Sequence, residues 1–217
     1  MFILNQQNSI ANHFLAELRD IHRQKDRLRF RKNLERLGEI MAYEISRELE
    51  YQPSSIESPF QKVEVSLITQ QPVIITVMRA SIPFYQGVLN FFDGADSGFV
   101  GAFRKELENK EAPVEIDLKY IAAPSINNRY VIIVDPMLAT GKSFVQSINN
   151  LLSNNGTPTE IHIASVIATP EGIDHIRQNL KVPHRFWTCA LDEELNAHSY
   201  IIPGLGDAGD LAFGPKL

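Results

Sequence analysis

RYVIIVDPMLATGKS (129–143) joins an uninterrupted β-branched run to an acidic residue, a turn of small residues and a Gly-Lys-Ser helix start. A run such as Tyr130–Val134 with no polar alternation suits a parallel strand covered on both faces. SFVQSINNLLSNNG (143–156) continues with Phe144, Ile148 and Leu151 on one helical face and Gly156 as its expected end. The same unit recurs on either side. IHIASVIA (161–168) reads as a buried strand, and TPEGIDHIRQNL (169–180) as a helix with Thr169 at the N-cap and Pro170 at its first position. RFWTCAL (185–191) is a further strand. Upstream, PVIITVM (72–78) is a short apolar run, SIPFYQGVLNFF (81–92) a helix packed on it, and GFVGAFR (98–104) and APVEIDLKYIA (112–122) are extended. The charged KELENKE (105–111) between the last two reads as a loop. Strands alternating with helices predict an α/β fold with a doubly wound, mostly parallel sheet and right-handed crossovers. Ligands then bind beyond the carboxyl ends of the strands, where DPMLATGKS lies.

The first 50 residues follow a different rule. In DRLRFRKNLERLGEIMAYEISRELE (26–50), Phe30, Leu34, Leu37, Met41 and Ile45 fall three and four apart, which predicts a helix with one apolar face. YQPSSIESP (51–59) reads as a Pro/Ser-rich connection. A chain of 217 residues with 44% hydrophobic and 22% charged residues buries a core without staples. Its net charge of −5 supplies no general attraction to nucleic acid or an anionic membrane, so neither is expected as a partner. The single cysteine, Cys189, rules out an internal disulfide and reads as a buried thiol. MFILNQQNSI lacks a basic start and a long apolar run, and no segment has membrane-spanning length, so a cytoplasmic location is expected.

The ending Gly-Lys-Ser invites a nucleoside-triphosphate reading, but geometry opposes it. That loop needs a glycine where Pro136 stands, and proline has no N–H to offer a phosphate. A shorter device survives. Backbone N–H groups at the helix start, with the Thr140 and Ser143 hydroxyls, would cradle one phosphate, and Asp135 could accept hydrogen bonds from sugar hydroxyls. Taken alone, an ordinary turn capped by Thr140 is the simpler reading.

VIIVDPMLATGKS resembles the phosphoribosyl-pyrophosphate signature of the type I phosphoribosyltransferases, and DPMLATG most resembles their uracil phosphoribosyltransferase branch. YIIPGLGDAGDLAFG (200–214) is similar to that branch's uracil-binding segment. LRD (18–20), AYEISRELE (42–50), VMRAS (77–81), GAFRKE (101–106) and ALDEELN (190–196) follow in the family's order, so the resemblance spans nearly the whole chain. It implies one phosphoribosyltransferase domain over 1–217. Helices fill 1–50, a core sheet with donor-binding loops fills 60–169, and a C-terminal hood with the base-binding segment fills 170–217.

The resemblance implies transfer of a phosphoribosyl group from its diphosphate donor to uracil, giving UMP. Arg79 matches the family's pyrophosphate-loop arginine and Arg104 its second donor-binding arginine, preceding a loop that would close over the site. Asp135, Pro136, Met137, Leu138, Ala139, Thr140, Gly141, Lys142 and Ser143 form the donor signature, with Asp135 at the ribose and Thr140, Gly141 and Ser143 at the 5′-phosphate. Ala139 stands where purine-specific relatives place an aspartate, which argues against a purine. Ile201, Gly206 and Ala208 would read uracil through their main chain, with Asp207 orienting base and donor. Mg²⁺ is implied on the donor's diphosphate, with no dedicated protein metal site. GTP enters as a candidate allosteric activator, and a homodimer or larger homo-oligomer as the assembly. The six histidines, including His175, His184 and His198, form no spaced pair, and no general base stands out.

Some positions depart from the family pattern. Ser81 replaces a glycine, at a cost of roughly 1 kcal/mol if that turn requires positive φ. Lys142 replaces the second glycine of T-G-G-S, Leu211 a basic residue, Pro215 a threonine, Ser58 a threonine, and Lys105 an acidic residue. A non-enzymatic pyrimidine-nucleotide sensor on the same scaffold, with RNA as a partner, is the competing function. It would want a basic face, yet the basic cluster RQKDRLRFRK (23–32) is interleaved with acids and reads as a helix surface.

Overall fold

The computed structural model describes the backbone over residues 1–104 and 116–215, and side chains over 1–101 and 120–215. KELENKE and Lys105 lie outside the described residues. The chain opens with β1 (Phe2–Ile3), α1 (Ala11–Arg19) and α2 (Arg27–Ser46), then β2 (Tyr51–Glu57) and β3 (Lys62–Ile68). β4 (Val73–Met78), α3 (Ile82–Phe91), β5 (Asp96–Arg104) and β6 (Ile116–Ala122) follow. Next come β7 (Tyr130–Val134), β8 (Met137–Leu138), α4 (Lys142–Asn154), β9 (Glu160–Ala168), α5 (Pro170–Asn179) and β10 (His184–Leu191). β11 (Glu194–Leu195), β12 (Ile201–Ile202) and α6 (Ala208–Phe213) end it.

The main sheet runs β1-β10-β9-β7-β4-β5-β6, with β8 paired to β9. Every pairing in it is parallel except that of β5 with β6. β4 comes first in sequence among its central strands, with β5 on one side and β7 on the other, so the strand order reverses between β4 and β7. A ligand crevice opens at such a reversal, beyond the strands' carboxyl ends. Val131–Val134 of β7 are fully buried, as an uninterrupted β-branched strand between two helical layers requires.

One layer holds α1, α2, α3 and α6. Phe30, Leu34, Leu37, Met41 and Ile45 of α2 are all buried against it, as their spacing predicts. α2 meets α3 backbone to backbone. A Cβ on Gly38 would lie 2.2 Å from the Phe84 carbonyl oxygen, and one on Gly87 1.9 Å from that of Glu35. The opposite layer holds α4 and α5, whose Phe144, Ile148, Leu151, Ile173 and Ile176 are buried on the sheet. Thr169 caps α5 through its hydroxyl, which accepts from the Gly172 N–H at 3.0 Å, with Pro170 in the first turn.

The structure adds strands that the sequence reading did not give. YQPSSIESP is not a connection: its first seven residues form β2, which pairs antiparallel with β3, Tyr51 opposite Ile68 and Glu57 opposite Lys62. The ribbon is largely exposed on both faces, so no burial pattern marked it. β1 and β8 were also missed, because two residues carry no periodicity. Cys189 is buried as expected, and burial pushes its thiol up, away from nucleophile chemistry. Among the described residues, no helix is long and apolar enough to cross a membrane.

Candidate active site

β5, β4 and β7 lie side by side, Met78 opposite Gly101 and Thr76 opposite Val134. Their carboxyl ends therefore bring Arg104, Arg79 and Asp135 to one edge of the sheet. Arg104 closes β5, and its side chain lies outside the described residues. Asp135 folds back on its own turn, its carboxylate accepting from the Met137 N–H at 3.1 Å.

The donor signature is held from below by its neighbour in the sheet. The Pro136 carbonyl accepts from the Val166 and Ile167 N–H groups, both at 3.0 Å, and Met137 and Leu138 pair with Ile167 and Ala168. The buried Ala139 turns its carbonyl to the Thr169 hydroxyl at 2.7 Å. The Thr169 hydroxyl thus caps α5 and ties that helix to the signature turn. Thr140 does not cap α4. Gly141 occupies the N-cap at φ +72°, ψ −8°, with no side-chain cap, so the first N–H groups of α4 have no partner within the helix. Gly141 is demanded twice, by its positive φ and by space, since a Cβ there would lie 2.5 Å from the Gly172 carbonyl oxygen.

Ser81 costs no left-handed strain. Its φ is −74°, and its buried hydroxyl donates to the Val77 carbonyl and shares a hydrogen bond with Thr76, each at 2.6 Å. The serine fastens the end of β4 to the start of α3 just behind Arg79. The peptide between Met78 and Arg79 is cis.

Arg79 crosses to the C-terminal segment. Its guanidinium donates to Asp210 at 2.5 Å and to the Gly214 carbonyl at 2.9 Å, while its Nε is buried without a partner. Asp207, the N-cap of α6, accepts from the Asp210 N–H at 2.9 Å. A Cβ on Gly209 would sit 3.2 Å from Asp207 Oδ1 and 3.4 Å from Arg79 Nε, so Arg79 and Asp207 are brought together. Ile201 is buried in β12 and Ala208 is buried at the start of α6, while Gly206 is exposed at φ +88°. α2 steadies α6 through Arg31, which donates to the Ala212 carbonyl at 2.8 Å.

A sequence model of uracil phosphoribosyltransferase matches residues 5–215. The chain belongs to the uracil phosphoribosyltransferase family. A uracil phosphoribosyltransferase of Porphyromonas gingivalis is 44% identical over 214 residues, covering 99% of this chain and 98% of that one. One from Pyrococcus furiosus is 39% identical over 204 residues, covering 92% and 84%. The solved structure of the AQ2163 protein from Aquifex aeolicus superposes over 100% of both chains with a TM-score of 0.85 at 26% identity.

At this candidate site, sequence reasoning gave no role to Arg19, Asp192 or Asp210, and none of its own to Gly204. LRD and ALDEELN marked the first two as family-like without suggesting a role. Their partners lie 173 residues apart, a distance no local pattern spans.

Proposed function

We propose that the chain transfers a phosphoribosyl group from 5-phospho-α-D-ribose 1-diphosphate to uracil, yielding UMP and diphosphate, as a pentosyltransferase of pyrimidine salvage. A ring nitrogen of uracil forms the new bond to the anomeric carbon, the carbon–oxygen bond to diphosphate breaks with its electron pair on the leaving oxygen, and the ring N–H proton is released. The hard part is departure of a highly charged group, which calls for fixed cations and dipoles. Arg79 and Arg104 supply the cations, and a guanidinium fork matches phosphate oxygens. The α4 start, with Thr140, Gly141 and Ser143, receives the 5′-phosphate, exposed Lys142 adds charge, and Asp135 takes the ribose hydroxyls. The turn Pro136–Ala139 gives this cradle its shape, and Ala139 offers no acceptor for a purine ring. Main-chain groups of Ile201, Gly206 and Ala208 read the uracil edge, with Asp207 between base and donor. An amino group in place of a carbonyl would leave buried groups mispaired, which rejects cytosine.

The observation that carries this reading is the joining of the two motifs, since Arg79 from the donor side is hydrogen-bonded into the base segment at Asp210 and Gly214. Mg²⁺ would be carried on the donor's diphosphate rather than on a dedicated protein site. When bound there it neutralises and orients the leaving group. The chain acts as one catalytic unit over 1–217. A homo-oligomer is supported by the β2–β3 ribbon, which turns Ile56, Val63 and Leu67 to solvent on one face and carries Phe60 fully exposed at its tip. GTP activation is a separate proposal, read by adding GTP to the assay.

The test is UMP formation from purified protein, donor, Mg²⁺ and uracil, with cytosine, hypoxanthine and orotate in parallel and Asp207→Ala as control. Product from uracil alone, lost in the variant, is expected. No product from any base, with UMP still bound, would overturn the enzyme reading in favour of a sensor.

A further inference from the structure

Arg19 ends α1 and Asp192 follows β10, yet the two meet in a fork-to-fork pair, both guanidinium–carboxylate contacts at 2.7 Å. Asp192 is 6% exposed and Arg19 23%. The pair grips one backbone residue between the base-reading positions. Arg19 donates to the Gly204 carbonyl at 2.8 Å, and the Gly204 N–H donates to Asp192 at 2.9 Å. Both polar backbone atoms of Gly204 are thereby committed. Gly204 itself sits at φ +58°, and a Cβ there would lie 2.1 Å from the Ile201 carbonyl oxygen. The turn is thus folded tightly back on Ile201, with Gly206 two residues further on. Asp192 is anchored in turn, its N–H donating to the Ala168 carbonyl at 2.9 Å at the end of β9. The sheet edge, α1 and the base-reading turn converge on one pair of charges.

We propose that Arg19 and Asp192 are a positioning pair that fixes the Ile201–Gly206 turn and so sets the affinity for the pyrimidine base, with little influence on donor binding. The inference rests on the reading of that turn as the uracil site. Among the described residues, the hydrogen bonds of both side chains run to each other and to Gly204, none to the donor signature. A buried ion pair adds little net folding free energy compared with an apolar replacement, but breaking it strands a charge and releases what it holds. A device of this kind acts on geometry more than on stability. A base read by main-chain groups is sensitive to a displacement of even 1 Å.

The experiment compares steady-state kinetics of wild type, Asp192→Asn, Arg19→Gln and Arg19→Lys, varying uracil and donor separately, alongside thermal melting. Arg129→Gln, which removes an arginine ion pair elsewhere in the fold, is the control. Arg129 makes a single, more exposed contact with Asp96 at 3.1 Å and a bond to the Gln71 carbonyl at 2.9 Å, away from the site. Asp192→Asn and Arg19→Gln are expected to raise the uracil KM by about tenfold or more while the donor KM stays within about twofold, and Arg19→Lys, which keeps the charge and one contact, to fall between. The control is expected to lower the melting temperature without moving the uracil KM. Equal shifts in both KM values, a melting loss with no KM change, or a control that shifts the uracil KM as far would each overturn the proposal. If Asp192→Asn does not fold, the two Arg19 variants decide. Failure of wild-type protein to make UMP would instead overturn the functional reading, and the same variants would be compared by calorimetric UMP binding, where unchanged affinity overturns the inference.

Discussion

The two ends of the site are built by different rules. The donor end is local: Asp135 to Ser143 form one strand–turn–helix, and the supports beneath it come from the next unit, β9 and Thr169, some 30 residues on. The base end is assembled at long range. Gly204 is held by Arg19 across 185 residues, and Gly214 and Asp210 by Arg79 across 135 and 131. A local device keeps its shape from the geometry of a βα turn, whereas a long-range device depends on a few charged contacts between elements that fold separately. Substitutions should therefore act on backbone shape at the first end and on side-chain anchoring at the second.

The largest effect should follow Arg79→Ala, because Arg79 belongs to both ends. Removal of a fixed cation from a developing anionic leaving group costs roughly 100- to 1,000-fold in kcat/KM. Initial rates with each substrate varied would read it. A loss below tenfold would mean that the arginine only braces α6.

Gly141→Ala tests the claim that the donor end is a matter of backbone. Positive φ and the 2.5 Å approach to Gly172 both oppose a methyl group. Together they should lower stability by about 2–4 kcal/mol in denaturant unfolding. The donor KM should rise in step while the uracil KM holds. Unchanged stability would show that the turn relaxes and that its shape is less determined than the α5 contact suggests.

The same contrast decided what the sequence revealed. The parallel strands were legible because burial on both faces leaves an unbroken β-branched run, as in Val131–Val134. The strand–turn–helix proposed as a phosphate cradle was legible because its residues are contiguous. The β2–β3 ribbon was not, since strands exposed on both faces need no alternation and tolerate Pro53 and Ser54. Ser81 was read as strained only if its turn required positive φ, a condition the sequence could not test. Only the structure shows its φ at −74° and its hydroxyl bonded to Val77 and Thr76. Arg19, Asp192 and Asp210 were hidden for a further reason: a charged residue in a chain reads as surface until its partner is known.

His162 lies outside both ends and tests whether stability and site are separable. It is fully buried between Tyr130 and Trp187, and Trp187 donates its indole N–H to His162 Nδ1 at 3.0 Å, so the neutral ring carries its proton on Nε2. Burial, with the nearby Arg185 charge, lowers its pKa to about 4, partly opposed by Glu48. The unfolded chain then binds the extra proton at higher pH than the folded one. This contribution is fully present above about pH 6.5 and is lost as pH falls towards 4, by about 2 kcal/mol between pH 7 and pH 5. Unfolding curves at the two pH values should show it, and His162→Gln, whose amide oxygen can take the Trp187 bond, should flatten the difference. The uracil KM should not follow the same profile.

Asp210 should give the smallest effect and the sharpest distinction, because it sits on the base end and acts on the donor end. Its carboxylate takes one arm of Arg79 and the Gly214 carbonyl takes the other, which leaves the guanidinium oriented but not neutralised by a second acid. Two roles are conceivable, with opposite signs. As a brace, Asp210 holds the fork where the diphosphate arrives, and Asp210→Asn should raise the donor KM. As a competitor, it occupies the fork until the diphosphate displaces it, and the same change should lower the donor KM. The brace is favoured. Arg79 is bonded to α6 at two points, its Nε is packed against Gly209, and a partly exposed pair of 32% and 39% accessibility pulls only weakly against a diphosphate carrying Mg²⁺. Asp210→Asn is thus expected to raise the donor KM by several-fold, up to about tenfold, with the uracil KM nearly unchanged, because the uracil-reading turn has its own anchor in Arg19 and Asp192. A fall in donor KM would identify Asp210 as the competitor. A rise in the uracil KM instead would mean that the two ends share one support, and the division between them would fail.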